Sequence, residues 1–267
     1  MFRYISSPIL LCAASIFIAF AQHPAKAEEL TIVGTGDGFA TLNALANAFN
    51  ATHATLTVKV PSSIGSSGGI KTVGNGHFVL GRVARKIKDN EQGYGLTYRP
   101  FAKLPIVFFV NESVSIDNLT TDQILKIYGG QITNWRDVGG DNGKIRVVRR
   151  EDGDSSIRNL RRTLPGFDQL AITAKSKTTT NTQENIDIVK KTPGTIGFGP
   201  YPDARRASVK VLSIDDKIAT SPHHPYFTVL ALIFKAENNK GAVAEFIDFL
   251  STETAQRTIL EYGGLPY

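Results

Sequence analysis

Short apolar runs alternate with segments of helical periodicity along the first third of the chain. The runs at 30–33 and 55–60 are rich in Leu, Val, Ile and Thr, which predicts β-strands. Between them, the segment 40–49 carries its apolar residues at helical spacing. A short helix over 70–76 and a strand at 78–80 continue the alternation. This order predicts an α/β fold with mostly parallel strands.

The rest of the chain continues the alternation without an internal repeat or a flexible linker. A chain of this length is expected to form two compact domains or one large one. The predicted strands cover 104–111, 145–148, 195–198, 209–214 and 227–234, the predicted helices cover 123–128, 157–164 and 181–191, and one long amphipathic helix lies within 238–262.

The first 27 residues have the features of a secretory signal peptide. Arg3 supplies the positive charge, the apolar segment 9–21 is too short to span a bilayer, and residues 25–27 form an A-x-A cleavage site. A retained membrane anchor is the alternative, but the polar Glu28 and Glu29 argue against it. We therefore expect cleavage near Ala27 and a periplasmic or secreted mature protein.

Cysteine content and charge exclude several kinds of site. The single cysteine, Cys12, lies in the predicted signal peptide, so the mature chain has no thiol nucleophile, thiolate metal site or disulfide. The chain carries a formal charge of +6, and loss of Arg3 and Lys26 leaves +4. This mild excess suits a small anion and does not demand nucleic acid. The histidines lack zinc-type spacing, and no metal or cofactor is predicted.

A Ser- and Gly-rich stretch at 62–71, SSIGSSGGIK, lies between a predicted strand and a predicted helix. Ser hydroxyls, Gly amides and a helix N-terminus are groups that bind anions. Loops at 34–39 and 150–156 have the same setting, and Arg82 and Arg85 follow a third strand. Ligands of open parallel sheets bind at the carboxyl ends of strands, so these segments together predict an anion site. Plain turns with helix N-caps are the alternative.

No catalytic constellation is evident in the sequence. Asp152 and Asp154 are the one candidate pair of catalytic carboxylates, but the preceding Arg149 and Arg150 favour an ion-pair network. Charge-assisted hydrogen bonds contribute about 1.5–3 kcal/mol each, so a handful of donors suffices for a micromolar anion site without a metal. These residues favour a binding protein over an enzyme.

Five motifs occur in the order found in a known family. They are GTGDGF, IGSSGGIKTVGNG, ITNWRDVGG, VVRREDGDSS and GTIGFG, between residues 34 and 199. With these motifs the chain resembles the periplasmic phosphate-binding proteins of ABC importers. The resemblance implies a two-lobed type II periplasmic binding protein fold, with a mostly parallel sheet flanked by helices in each lobe and two crossover strands between them. It also implies a bound oxyanion, most simply phosphate, a permease partner and a monomer.

The resemblance further implies where the chain divides. Lobe 1 would comprise residues 28–106 and 228–267, and lobe 2 would comprise residues 107–227. The crossovers would lie near 105–111 and 227–234.

The resemblance also assigns roles in the first lobe. The amide of Phe39 would face the anion, Gly38 stands where the family has a ligand-binding Thr, and Ser66 matches a ligand Ser. Together with the polar and basic residues of the loops, the expected binding set is Gly38, Phe39, Ser66, Ser67, Arg82, Arg85, Arg150, Asp154, Ser155 and Ser156.

In the second lobe, the resemblance makes Arg150 the partner of the anion and Asp152 the carboxylate that orients it. Ser155 and Ser156 fall where the family has Gly and Thr donors.

Two departures from the family pattern concern acidic groups. Ala84 replaces the carboxylate that accepts a proton from phosphate, and Asp154 replaces a Ser donor. We hypothesise that Arg82 or Arg85 adds positive charge on one wall while Asp154 accepts the proton from the other. The alternative is that Asp154 pairs with Arg85 or Arg158 and that the ligand is not phosphate.

Three functions therefore compete. The first is an oxyanion-binding protein of an ABC importer, and the second is a binding-protein fold repurposed as a sensor or secreted accessory protein with an altered or absent ligand. The third is a hydrolase, which only the Asp152 and Asp154 pair supports.

Overall fold

A computed structural model describes residues 28–221 and 223–267. The predicted signal peptide and its cleavage site lie outside these residues. Within the described part of the chain, no helix combines the length and the apolar content needed to cross a membrane.

Ten of the twelve strands found in residues 28–221 and 223–267 form one sheet. The strands are β1 (Glu28–Gly34), β2 (Leu56–Lys59), β3 (Leu80–Val83), β4 (Leu96–Val110), β5 (Asn118–Leu119), β6 (Arg146–Arg150), β7 (Lys177–Thr179), β8 (Thr195–Pro200), β9 (Lys210–Val211), β10 (Ser213–Ile214), β11 (Phe227–Lys235) and β12 (Leu265–Pro266). The main path has the order β2-β1-β3-β11-β4-β8-β6-β7, with β9 and β12 also paired to β4. The β1–β3 group pairs in parallel, as does the β6–β8 group, whereas β4 and β11 run antiparallel to their neighbours.

Eight α-helices flank the sheet within the described residues. Several begin at a side chain that accepts a hydrogen bond from the first turn, as Thr120, Asp154, Asn181 and Thr252 do. The helices are α1 (Phe39–Asn50), α2 (Gly65–Gly74), α3 (Thr121–Tyr128), α4 (Ser155–Thr163), α5 (Thr182–Lys191), α6 (Tyr201–Arg206), α7 (Ala242–Phe249) and α8 (Glu253–Glu261).

Strand β4 belongs to both lobes. It pairs with β11 up to Pro105 and with β8 from Ile106 onward. Leu104 lies in one hydrophobic core with residues of α1, α7 and α8, and Phe108 lies in another with residues of α3 and α4. This arrangement confirms the predicted two-lobed α/β class. The division of the chain at 106/107 and 227/228 stays a prediction.

Several element predictions are wrong in extent. The helix predicted over 70–76 begins at Gly65, inside the stretch predicted as a loop. The long helix within 238–262 is two helices, because Thr252 accepts a hydrogen bond from the amide of Ala255 and starts α8. Strand β4 begins at Leu96, well before the predicted 104. The prediction missed its first residues, because they alternate between exposed and half-buried and form no apolar run. The predicted strand at 209–214 is two short strands with different partners.

Gly34 lets β1 and β3 approach closely next to the interface between the lobes. It has φ +140°, and a Cβ there would lie 1.9 Å from the carbonyl oxygen of Arg82. An L side chain would therefore strain the backbone and separate the two strands.

We expect Gly34→Ala to lower the free energy of unfolding by at least ~2 kcal/mol in urea denaturation. Gly93→Ala is the matched control, because Gly93 is exposed and a Cβ there would meet no atom within 4 Å. Equal stability of the two variants would contradict this account of the strand contact.

Candidate functional site

The carboxyl ends of β1, β3 and β6 lead into one interface between the two lobes. The first lobe contributes the loop after β1, the N-terminus of α2 and Ala84 after β3. The second lobe contributes the loop after β6 and the N-termini of α4 and α5. Helix N-termini direct the positive ends of their dipoles into this interface, which favours negative groups there.

Two serines at helix N-termini join the lobes directly. The hydroxyl of Ser66 on α2 lies 2.9 Å from the hydroxyl of Ser155 on α4. Ser66 Oγ also accepts a hydrogen bond of 3.2 Å from the amide of Ala84. Both serines are buried. The structure thus brings together two of the residues expected from the sequence.

Asp37 is one of the residues of this interface that the sequence analysis missed. Its carboxylate is fully buried and accepts hydrogen bonds from the hydroxyl of Ser156, at 2.9 Å, and from the hydroxyl of Thr182. Both donors belong to the second lobe, so a carboxylate of the first lobe receives hydroxyl hydrogens that could otherwise bind an anion. Asp37 lies in the GTGDGF loop, and the acidic residue in an otherwise anion-binding motif was an available signal.

Arg150 is buried at the end of β6 and forms an ion pair with Asp154. Its Nη1 donates to Thr182 Oγ1 at 3.2 Å, and its buried Nε–H has no partner among the described residues. Asp154 is also the N-cap of α4, where Oδ1 accepts from the amides of Ser156 and Ile157. Burial raises the pKa of Asp154 to about 7, and the negative charge of Asp37 adds to this rise while Arg150 opposes it.

The expectation that Asp152 orients Arg150 is therefore wrong, because Asp154 forms this ion pair. The alternative in which Asp154 pairs with Arg85 or Arg158 does not hold either. Asp152 is exposed and pairs with Arg149 and Arg161 on the surface. The two carboxylates have separate partners, one buried and one exposed, as in an ion-pair network.

Asp203 lies on α6 in the second lobe and caps the N-terminus of α1 in the first lobe. Its carboxylate accepts hydrogen bonds from the amides of Gly38, at 2.7 Å, and Ala40, at 2.9 Å. Gly38 itself supplies no side chain to cap α1. Burial raises the pKa of Asp203 to about 7 and the charge of Asp37 adds to this rise, while the two amides and Arg150 oppose it. No local sequence pattern pointed to Asp203, because its partner lies 165 positions away.

The ring and the amide of Phe39 lie beside this cap. The amide donates to the carbonyl of Gly36 at 3.2 Å, and the ring centroid is 5.9 Å from Cζ of Arg82.

Three expected site residues have other partners. Arg82 is fully buried, and its guanidinium donates to the backbone carbonyls of Ile32, Thr35 and Pro61. Burial lowers its pKa to about 10, which leaves it charged at neutral pH. Arg85 forms a two-pronged ion pair with Glu91 at 2.7 Å and donates to the hydroxyl of Ser67 at 2.8 Å.

The interface therefore combines donors with carboxylates. Hydroxyls of Ser66, Ser155 and Ser156 and the guanidinium of Arg150 can donate to a small anion. The carboxylate of Asp37 can only accept. Such a site can bind a small group that accepts hydrogen bonds on most sides and donates at least one.

Comparison with known proteins agrees with this architecture. A family model described as the PBP superfamily domain matches residues 20–254. The chain belongs to the PBP superfamily. Among solved structures of this type, it is similar to a phosphate ABC transporter substrate-binding protein of Clostridium perfringens with bound phosphate. The TM-score is 0.79 at 25% identity, covering 90% of this chain and 100% of that one.

Other relatives are also named for phosphate binding or transport. An ABC-type phosphate transport receptor from Vibrio cholerae has a TM-score of 0.64 at 25% identity and matches 90% of this chain and 100% of its own. The phosphate-binding protein PstS of Borreliella burgdorferi is 26% identical over 75% of this chain and 77% of its own length. PstS of Bacillus subtilis is 27% identical over 97% of this chain and 92% of its own length.

The raised pKa of Asp203 predicts a pH-dependent difference between the wild type and Asp203→Asn. The folded protein keeps this proton up to about pH 7, whereas the unfolded chain releases it near pH 4. Between pH 4 and 7 the unfolded wild type thus binds fewer protons than the folded wild type. The free energy of unfolding of the wild type therefore falls relative to that of the variant as the pH rises from 4 to 7. The slope is at most about 1.4 kcal/mol per pH unit, measured by urea denaturation across the range.

Asp187→Asn is the control for this comparison, because Asp187 is an exposed residue of α5. If the difference in free energy of unfolding between Asp203→Asn and wild type stays constant from pH 4 to 7, the buried proton is not on Asp203.

Proposed function

We propose that this protein binds a small oxyanion, phosphate, between its two lobes and delivers it to the permease of an ABC importer. The observation that carries the proposal is the meeting of Arg150, Ser66, Ser155 and Ser156 in one buried interface at helix N-termini. The names of the relatives support phosphate as the ligand. The protein acts as a monomeric binding protein, not as an enzyme, and in the periplasm or outside the cell.

The proposed binding set is smaller than the sequence suggested. Arg150, Ser66, Ser155 and Ser156 contact the anion. The buried Nε–H of Arg150 has no hydrogen-bond partner in the described part of the chain, which leaves a donor for the ligand. The remaining expected residues hold the surrounding structure through the partners described above, the amides of Gly38 and Phe39 included. They are Gly38, Phe39, Ser67, Arg82, Arg85 and Asp154.

The energy of such a site is sufficient for tight binding. Hydrogen bonds to a charged group are worth about 1.5–3 kcal/mol each, and a micromolar affinity requires about 8 kcal/mol net. Four such donors, one from each side chain of the set, contribute about 6–12 kcal/mol, and the upper part of this range leaves a margin for the ordering and desolvation that binding requires. Oxyanion entry breaks the hydrogen bond between Ser66 and Ser155 and replaces it with two hydrogen bonds to the ligand.

Asp37 takes the role of proton acceptor that Ala84 cannot fill. Asp154 is unsuited to this role, because its Oδ1 accepts hydrogen bonds from two backbone amides and its Oδ2 contacts Arg150. The carboxylate of Asp37 is bound only by hydroxyls, of Ser156 and Thr182, which can turn to donate to a ligand instead. A carboxylate at this position favours hydrogen phosphate over sulfate, because sulfate has no proton to donate at neutral pH.

Replacement of Arg150 tests the binding site itself. We expect Arg150→Gln to weaken phosphate binding roughly tenfold to hundredfold in calorimetry, because one or two charge-assisted hydrogen bonds are lost. Arg150→Lys keeps the charge and should lose less, which separates the loss of donors from the loss of fold. Arg149→Gln is the matched control, since the neighbouring Arg149 pairs with the exposed Asp152.

Unchanged phosphate affinity in a folded Arg150→Gln protein would refute the binding site. An equal loss in Arg149→Gln would also count against it.

Replacement of Asp37 tests the choice between anions. We expect Asp37→Asn to shift the ratio of phosphate to sulfate affinity at least roughly tenfold toward sulfate, because the amide can donate to an unprotonated oxygen. Asp154→Asn is the comparison for the earlier hypothesis that Asp154 accepts the proton. If Asp154→Asn shifts the ratio and Asp37→Asn does not, the roles are reversed.

A second function is favoured by one observation. The buried carboxylates Asp37 and Asp203 accept hydrogen bonds across the interface, as a bound anion would. A binding-protein fold repurposed as a sensor with an altered ligand would have such a filled interface. Native mass spectrometry of the purified protein distinguishes the two, because the transport protein is expected to carry a phosphate-sized anion.

A further inference from the structure

A groove separate from the interlobe site lies at the open edge of the second lobe. It has a volume of about 580 Å³ and is bordered by the end of α3, the first half of β6, the segment before β7 and the end of α5. Strand β7 pairs with β6 only from Val148 onward, so the first residues of β6 have no neighbouring strand on that side. None of the residues that line the groove belongs to the proposed oxyanion site.

Positive charge surrounds this groove without a counter-ion. Lys144, Arg146, Lys175 and Lys177 line it and are exposed, and none of them forms an ion pair within the described residues. No Asp or Glu is among the lining residues. Four like charges around one opening repel each other, and a bound anion relieves this repulsion.

The floor of the groove is apolar. Half-buried Ile132 and Ile188 line it together with buried aliphatic residues of β6 and α3. Its volume lies in the range of about 300–1,000 Å³ that is typical of small-molecule sites, far above the size of an inorganic oxyanion. The lining therefore fits a molecule with an apolar body as well as a negative group.

We propose that this groove binds a small organic anion, with its apolar or aromatic body on the isoleucine floor and its anionic group among the three lysines. The site is additional to the interlobe site and does not depend on the identity of the ligand there. Charge complementarity and the enclosed apolar floor favour this occupant over a neutral apolar molecule or an inorganic ion.

A pair of fluorescent probes tests the proposal on the full mature chain. The anion 8-anilinonaphthalene-1-sulfonate and its uncharged counterpart N-phenyl-1-naphthylamine have the same aromatic body and differ only in the sulfonate. We expect the anion to bind at one saturable site. The affinity of the uncharged probe should be lower by a factor of about ten or more. The variant Lys144→Gln/Lys175→Gln/Lys177→Gln should lose the preference for the anion.

The control variant is Lys71→Gln/Lys103→Gln/Lys240→Gln, which removes three exposed lysines of the first lobe. It should bind both probes as the wild type does, and thermal melts should show that both variants are folded. Equal binding of the two probes, or equal losses in the two variants, would overturn the proposal.

Competition with phosphate separates this proposal from the interlobe function. Excess inorganic phosphate should leave the bound probe in place, and calorimetry should give the same phosphate affinity with and without the probe. Displacement of the probe by phosphate in a one-to-one manner would place it in the interlobe site and refute the groove.

Discussion

Compensation of charge inside the interface between the lobes is the constraint on which the rest of the site depends. Asp37, Asp154 and Asp203 are removed from water there, and a buried carboxylate is costly unless donors surround it. Arg150, the hydroxyls of the second lobe and the amides at the start of α1 supply these donors. An incoming oxyanion requires the same donors, so binding and charge compensation compete for them.

These groups meet because the parallel strands of both lobes end at the same interface. Strand β4 changes its partner between Pro105 and Ile106, and β11 returns the chain beside it. The helices that follow β1, β2 and β6 then direct their N-termini toward this interface. Loops that are far apart in the chain, such as those of Ser66 and Ser155, therefore meet at hydrogen-bond distance.

Local patterns identified donors well and partners poorly. Ser66, Ser155 and Arg150 follow recognisable strand-to-loop-to-helix motifs, and the structure brings them together. Arg82 belongs to an equally basic motif, yet its guanidinium binds three backbone carbonyls of its own lobe. Whether an arginine binds a ligand or the backbone depends on which carbonyls the fold brings within reach, and sequence spacing does not contain that information. The same limit explains why Asp152, and not Asp154, was assigned as the partner of Arg150.

The sequence by itself determined the class of the fold, the order of strands and helices, and the polar loops from which the site is built. Periodicity and capping residues act within a few positions, so they are readable along the chain. Only the tertiary structure decided that Asp37 and Asp203 bring carboxyl groups into the interface and at which residue β4 changes its partner. These features depend on contacts between residues up to 165 positions apart, where packing of whole elements, and not local preference, sets the distance.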